Sequence, residues 1–119
     1  MNIRLAVVSI WAEDVVAAAH FYRDVIGLKM MPHHAGDRLY FDLGGSHLAI
    51  IPGRPALPPD SGPRFPVVAF SVPGLDVVIR KLRLHAVEMP WGVESNTDCR
   101  WVMFHDPAGN LVELVEFEK

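Results

Sequence analysis

The chain has a single cysteine, Cys99. An internal disulfide is therefore excluded, and a lone thiol suits a reducing, cytoplasmic compartment. Charge of one sign is also missing. The 11 Lys and Arg against 14 Asp and Glu leave a formal net charge of −3, which gives no basic footprint for nucleic acid. No basic cluster flanks a hydrophobic stripe, so no membrane-surface helix is indicated. No apolar run approaches the ~20 residues that span a bilayer. The segment LAVVSIWA after Arg4 comes nearest to an export signal, but Glu13 and Asp14 interrupt it and an amphipathic segment follows. The expectation is a soluble cytoplasmic protein with neither nucleic-acid nor membrane partners.

What remains is a packed globule. Half of the 119 residues are apolar and about a fifth are charged, a balance that supports one buried core rather than disorder. Residues 5 to 11, LAVVSIW, have strand length and β-branched content. Asp14 is placed to cap a helix with apolar residues at Val15, Ala18, Tyr22 and Val25, and Gly27 sits where a helix C-terminal glycine belongs. A short strand near Leu28 to Pro32, the strand RLYFDL, a Gly44–Gly45 turn and the strand HLAII complete a βαβββ module.

Residues 52–66, PGRPALPPDSGPRFP, hold six of the ten prolines. Proline removes donors and fixes φ, so this stretch predicts a linker. The pattern then restarts with strand VVAFSV, helix LDVVIRKLRL with Leu75, Val78, Ile79 and Leu82 on one face, and a strand near Val87 to Met89. A loop follows, then strand RWVMFH, the turn DPAGN and strand LVELVEF. The fold class predicted is α+β, one domain over 1–119. Module one covers 3–52, the linker 52–66 and module two 67–118, the copies being offset by about sixty residues.

Two segments carry a resemblance to a known family. HFYRDVIGL resembles the helix-one ending, and FHDPAGNLVELVE the last hairpin, of the vicinal oxygen chelate superfamily, which includes glyoxalase, bleomycin resistance protein and extradiol dioxygenase. The similarity runs from about Ile3 to Glu118. It implies two βαβββ modules packed as paired curved sheets around a cleft. Enzymes of this kind usually hold one divalent metal there, with a ligand from the first and last strand of each module. Those positions fall at Val7, Ala49, Val67 and Glu113. Three of the four lack a donor atom, and shifting the register by one residue brings Ala6, Val8, Pro66 or Val68, which do not help. The expectation is a protein with no metal and no cofactor.

Strand alternation lists what the cleft would contain instead. Parity with Val7 adds Leu5, Ser9 and Trp11, and parity with Ala49 adds His47 and Ile51, with Tyr40 and Asp42 from the neighbouring strand. Module two gives Ala69, Ser71, Trp101, Met103, His105, Leu111, Glu113 and Val115. The candidate ligand-binding residues are accordingly Ser9, Trp11, Tyr40, His47, Trp101, Met103, His105 and Glu113, with Trp91 near the rim. The tryptophans either stack on a planar or cationic ligand or fill space. Glu113 is the candidate catalytic group, as a general base or as a counter-charge to a ligand cation; the alternative is a carboxylate bonded to water. His33 and His34 are adjacent on a strand and cannot chelate together, and Cys99 falls in a polar loop.

Three functions follow. One is a metal-independent protein of the bleomycin-resistance type that binds a hydrophobic or aromatic small molecule. The second is a lyase or oxidoreductase using Glu113 with His47 or His105 as acid and base, or as a displaced metal site. The third is a dimeric interaction module without a ligand. The missing donors favour the first over the second and the aromatic cleft favours it over the third. An open apolar sheet face in so short a chain also predicts a homodimer.

Overall fold

A computed structural model describes residues 5–32, 38–54 and 67–118. The chain divides into two compact units, Met1–Pro59 and Asp60–Lys119, the boundary falling within the proline-rich stretch. His33, His34 and most of the expected linker lie outside the described residues.

The first unit begins with β1 (Val7–Ala12), followed by α1 (Val15–His20). The Asp14 side chain accepts from the Ala17 amide at 3.0 Å and so caps α1. The helix then widens into a π-helical segment, Phe21–Ile26, which the apolar periodicity had not signalled. Its last turn closes on one acceptor: the Tyr22 carbonyl takes the amides of both Gly27 and Leu28, at 3.0 and 2.8 Å. Gly27 can serve there because its φ is +93°. The sheet is completed by β2 (Lys29–Met30), β3 (Leu39–Asp42) and β4 (His47–Pro52), in the order β1-β4-β3-β2. Strand β1 runs parallel to β4 and the other pairs are antiparallel. Pro52 belongs to β4, opposite Ala12, and not to the linker; it ends the strand, where a missing amide costs least.

The second unit repeats the plan. Strand β5 (Val68–Ser71) precedes α2 (Leu75–Leu84), and β6 (Glu94–Ser95), β7 (Cys99–His105) and β8 (Leu111–Phe117) follow, ordered β5-β8-β7-β6. The strand expected near Val87 to Met89 is absent. Val87 is instead tied to the end of α2 through its amide and the Leu82 carbonyl, and the next strand waits until Glu94. Asn96 builds the hairpin there, its side-chain oxygen accepting the amides of Asp98 and Cys99 at 2.8 and 2.9 Å. Cys99 therefore opens β7, opposite Phe117, and is not in a loop.

One face of each sheet is sealed by its helical layer. Ile10, Phe41, Leu48 and Ile50 are buried with Ala18, Tyr22 and Val25 in the first unit, where Tyr22 stacks at a tilt on Phe41. Phe70, Val102, Phe104, Val112 and Leu114 are buried with Leu75, Ile79 and Leu82 in the second. The start of α2 is pinned from β8, since the Glu116 carboxylate accepts the Leu75 amide at 2.8 Å and holds Arg100 at 3.2 Å. The DPAGN turn has a structural role of its own. Asp106, only 4% exposed, accepts the amides of Ala108 and Asn110 and is also held by the Asn110 side chain.

After α2, Ala86 adopts φ +57°, the one described non-glycine residue in the left-handed region. That conformation costs an L-residue roughly 1–2 kcal/mol. Ala86→Gly should therefore raise stability by about 0.5–1 kcal/mol after the entropy of the unfolded chain is counted. Thermal unfolding should show a higher Tm, and an unchanged or lower Tm would contradict the strain.

Candidate functional site

Because the helices cover one face of each sheet, the opposite parity defines two open faces. On the second module, cross-strand pairing sets Ala69 beside Glu113 and Glu113 beside Met103. The adjacent row is Ser71, Val115, Trp101 and Glu94. Leu111 and His105 form the row on the other side of Glu113. Trp101 and Met103 are half-buried, Val115 is buried and His105 is exposed. This is an apolar and aromatic platform with one carboxyl group near its centre, the composition of a small-molecule surface.

Glu113 is electrostatically unusual. Burial pushes its carboxyl above the usual carboxylate range, and the like charge of Glu94 adds to the effect. Among the described residues it has no hydrogen-bond or ion-pair partner. Its opposite neighbour is Met103; His105 stands one row away and makes no hydrogen bond to it. Arg100 faces the helix side, engaged by Asp76 and Glu116. An acid–base pair of Glu113 with His105 is therefore not assembled in this arrangement.

The open face of the first module carries the remaining candidates. Its rows are Ser9, Ala49 and Tyr40; then Trp11 and Ile51; then Val7, His47, Asp42 and Lys29. Trp11 is 38% exposed, and a side chain at Gly53 would meet its six-membered ring at 3.4 Å. Gly53, at φ +121°, thus lets the ring lie against the end of β4. Asp42 accepts the Gly44 amide at 2.9 Å, which commits it to the turn. Trp91 is an exposed loop residue, and His20 and His85 are exposed at helix ends.

Sequence parity missed Glu94 because its strand was assigned to a loop. The available signal was Asn96, a turn former placed to close a hairpin onto β7. Of the four positions at which the resemblance puts metal ligands, Val7, Ala49 and Glu113 carry the expected parity and Val67 precedes β5, but Val7, Ala49 and Val67 supply no donor. Among the described residues no group of three or more His, Cys, Asp or Glu could hold a metal ion. The residues present do not fit the metal of the related enzymes. No described helix is long and apolar enough to cross a membrane.

Comparison with known proteins agrees with the topology. The sequence model of the Glyoxalase/Bleomycin resistance protein/Dioxygenase superfamily matches residues 4–114. Among solved structures, a glyoxalase/dioxygenase from Nostoc punctiforme is similar with a TM-score of 0.81 at 21% identity, covering 98% of this chain and 92% of that one. TnmS3, an antibiotic binding protein from Streptomyces sp. CB03234, gives 0.78 at 20% identity with 98% of both chains covered. The fosfomycin resistance protein FosX from Listeria monocytogenes gives 0.77 at 17% identity, covering 98% and 94%. At these identities the likeness is one of fold. No curated protein matches the sequence.

The environment of Glu113 has a thermodynamic consequence. Its folded-state pKa is raised, so the folded chain holds this proton more tightly than the unfolded chain does. The corresponding stability is present at acid pH and is lost as pH rises through the raised value. Glu113→Gln should therefore stabilise the protein at neutral pH, with the gain vanishing below the ordinary carboxylate range. Urea unfolding at both pH values checks this; an equal effect at both would contradict a desolvated carboxyl.

Proposed function

As the chain belongs to the Glyoxalase/Bleomycin resistance protein/Dioxygenase superfamily, we propose that it is a metal-independent protein that binds a small hydrophobic or aromatic molecule. The observation that carries this reading is the row structure of the second module's open face. Trp101, Met103 and Val115 surround Glu113 where the related enzymes would complete a metal centre. A planar ligand gains area and stacking on such a platform, and one carboxyl group fixes its orientation. The relatives that bind an antibiotic or confer fosfomycin resistance support small-molecule recognition on this fold. Fold alone does not fix chemistry, which the residues of this face must supply.

In this reading both modules belong to one domain, and Ser9, Trp11, Tyr40 and His47 remain candidate ligand residues on the first module's own open face. We also propose a cytoplasmic homodimer. Val7, Trp11, Val67 and Phe117 are exposed apolar side chains, and two-fold pairing is the commonest way to cover such surface. The enzymatic alternative of Glu113 with His105 is disfavoured because Met103 occupies the position opposite Glu113 and His105 stands one row away.

Trp101 is the decisive side chain. Titration of 2-acetylnaphthalene by calorimetry should give saturable binding, and Trp101→Ala should weaken it by about 1–3 kcal/mol, the scale of a lost aromatic anchor. Equal affinity in the variant would reduce Trp101 to packing.

A further inference from the structure

The helix side of the second module carries charge of both signs, sorted along its length. Helix α2 buries Leu75, Ile79 and Leu82 and turns its opposite face outward. Val77 and Leu84, at the i and i+7 spacing of one helix face, are 53% and 83% exposed. Arg80, Lys81 and Arg83 flank them, and from Val77 to Val87 there is no acid. Among the described residues none of these three bases is in an ion pair. Acids gather at the other end. Arg100 ties Asp76, in the first turn of α2, to Glu116 on β8. Just beyond, the Glu118 amide donates to the Asp98 carbonyl at 2.8 Å, which sets two exposed acids opposite each other. Like charges facing across a ladder repel, and Arg100 is already shared between Asp76 and Glu116.

A surface with an acidic end and a basic end complements a copy of itself turned end for end. Helix α2 crossing its own symmetry mate at mid-helix would set Arg80 and Lys81 against the same bases. Shifted toward the start of the helix, the two-fold contact instead sets the basic end of each chain against the acidic end of the other. An isologous interface makes each such contact twice. We infer that the helix side of the second module is the self-complementary face of a homodimer. Arg80, Lys81 and Arg83 meet Asp98 and Glu118 of the partner subunit, and Val77 and Leu84 are covered between them. The inference rests on the homodimer proposed above and names its surface. Two apolar side chains offer too little area to seat α2 in a lipid interface, whereas an apolar centre with a charged rim is the ordinary anatomy of a protein contact.

Sedimentation velocity on the full chain tests this face. The native dimer should weaken as salt rises from about 0.05 to about 0.5 M, because exposed charges are screened over that range. Arg80→Glu with Arg83→Glu, and separately Asp98→Lys with Glu118→Lys, should each raise the dimer Kd by about tenfold or more, since each variant faces like charge in both contacts. Mixed in equal amounts, the two variants should recover a heterodimer of near-native affinity, one contact carrying the native signs and the other the inverted ones. Leu84→Gln, at a side chain exposed in the single chain, should weaken the dimer without lowering the Tm of the dilute monomer. Native Kd in both charge-inverted variants, or no association in their mixture, would overturn this face and leave the homodimer reading standing. A native chain that stays monomeric at every concentration would sink both. A monomer that co-sediments with phosphatidylglycerol vesicles would give the stripe to an anionic lipid surface and overturn the inference.

Discussion

Everything in this structure depends on the two-residue alternation of a β-strand when one side of the sheet is sealed. Tyr22 and Phe41 in the first module, and Leu82 and Phe104 in the second, are almost completely buried in a helix–sheet interface. A slip of one residue in any strand would turn such side chains to water and bury Glu113 or His47 in their place. The cost of that exchange fixes the register. The composition of the open faces follows: what is not needed beneath the helix is free to vary, and that freedom carries function.

The same constraint explains why the absence of metal donors matters. Val7 and Ala49 stand on the first module's open face, where a ligand would have to stand, and Val67 just precedes β5, yet each is an apolar side chain. Glu113 stands at the fourth position, the one of the four with a donor atom. Its desolvated carboxyl destabilises the free protein at neutral pH, and such local cost is common where a surface awaits a partner. The like charge of Glu94 adds to the effect of burial on Glu113.

Much of this was legible in the chain. Asp14, Gly27 and the LDVVIRKLRL segment marked their helix ends and faces because capping and periodicity are local properties. The parity of Trp101, Met103 and Glu113 followed from the apolar run on the other face of the same strands. The failures arose where local preference is weak. A two-residue strand at Glu94–Ser95 has no periodicity to detect, and it is held by pairing with Trp101 and Arg100. Val87 to Met89 looked like a strand, but the amide of Val87 is spent in closing α2. The π-helical turn at Phe21–Ile26, where Tyr22 packs on Phe41 from a distant strand, has no local periodicity to mark it. The family resemblance supplied the ligand positions, whereas the residues standing there turned the functional argument away from the metal.

The central claim is that this fold has been turned to small-molecule binding without a metal. Native mass spectrometry tests it most directly, on the full chain after dialysis against Zn²⁺, Ni²⁺, Mn²⁺ and Fe²⁺, with and without 2-acetylnaphthalene. The account predicts a dimer mass with no stoichiometric metal and a mass increment when the aromatic is added. One metal ion retained per chain, lost when Glu113 is replaced by glutamine, would contradict it.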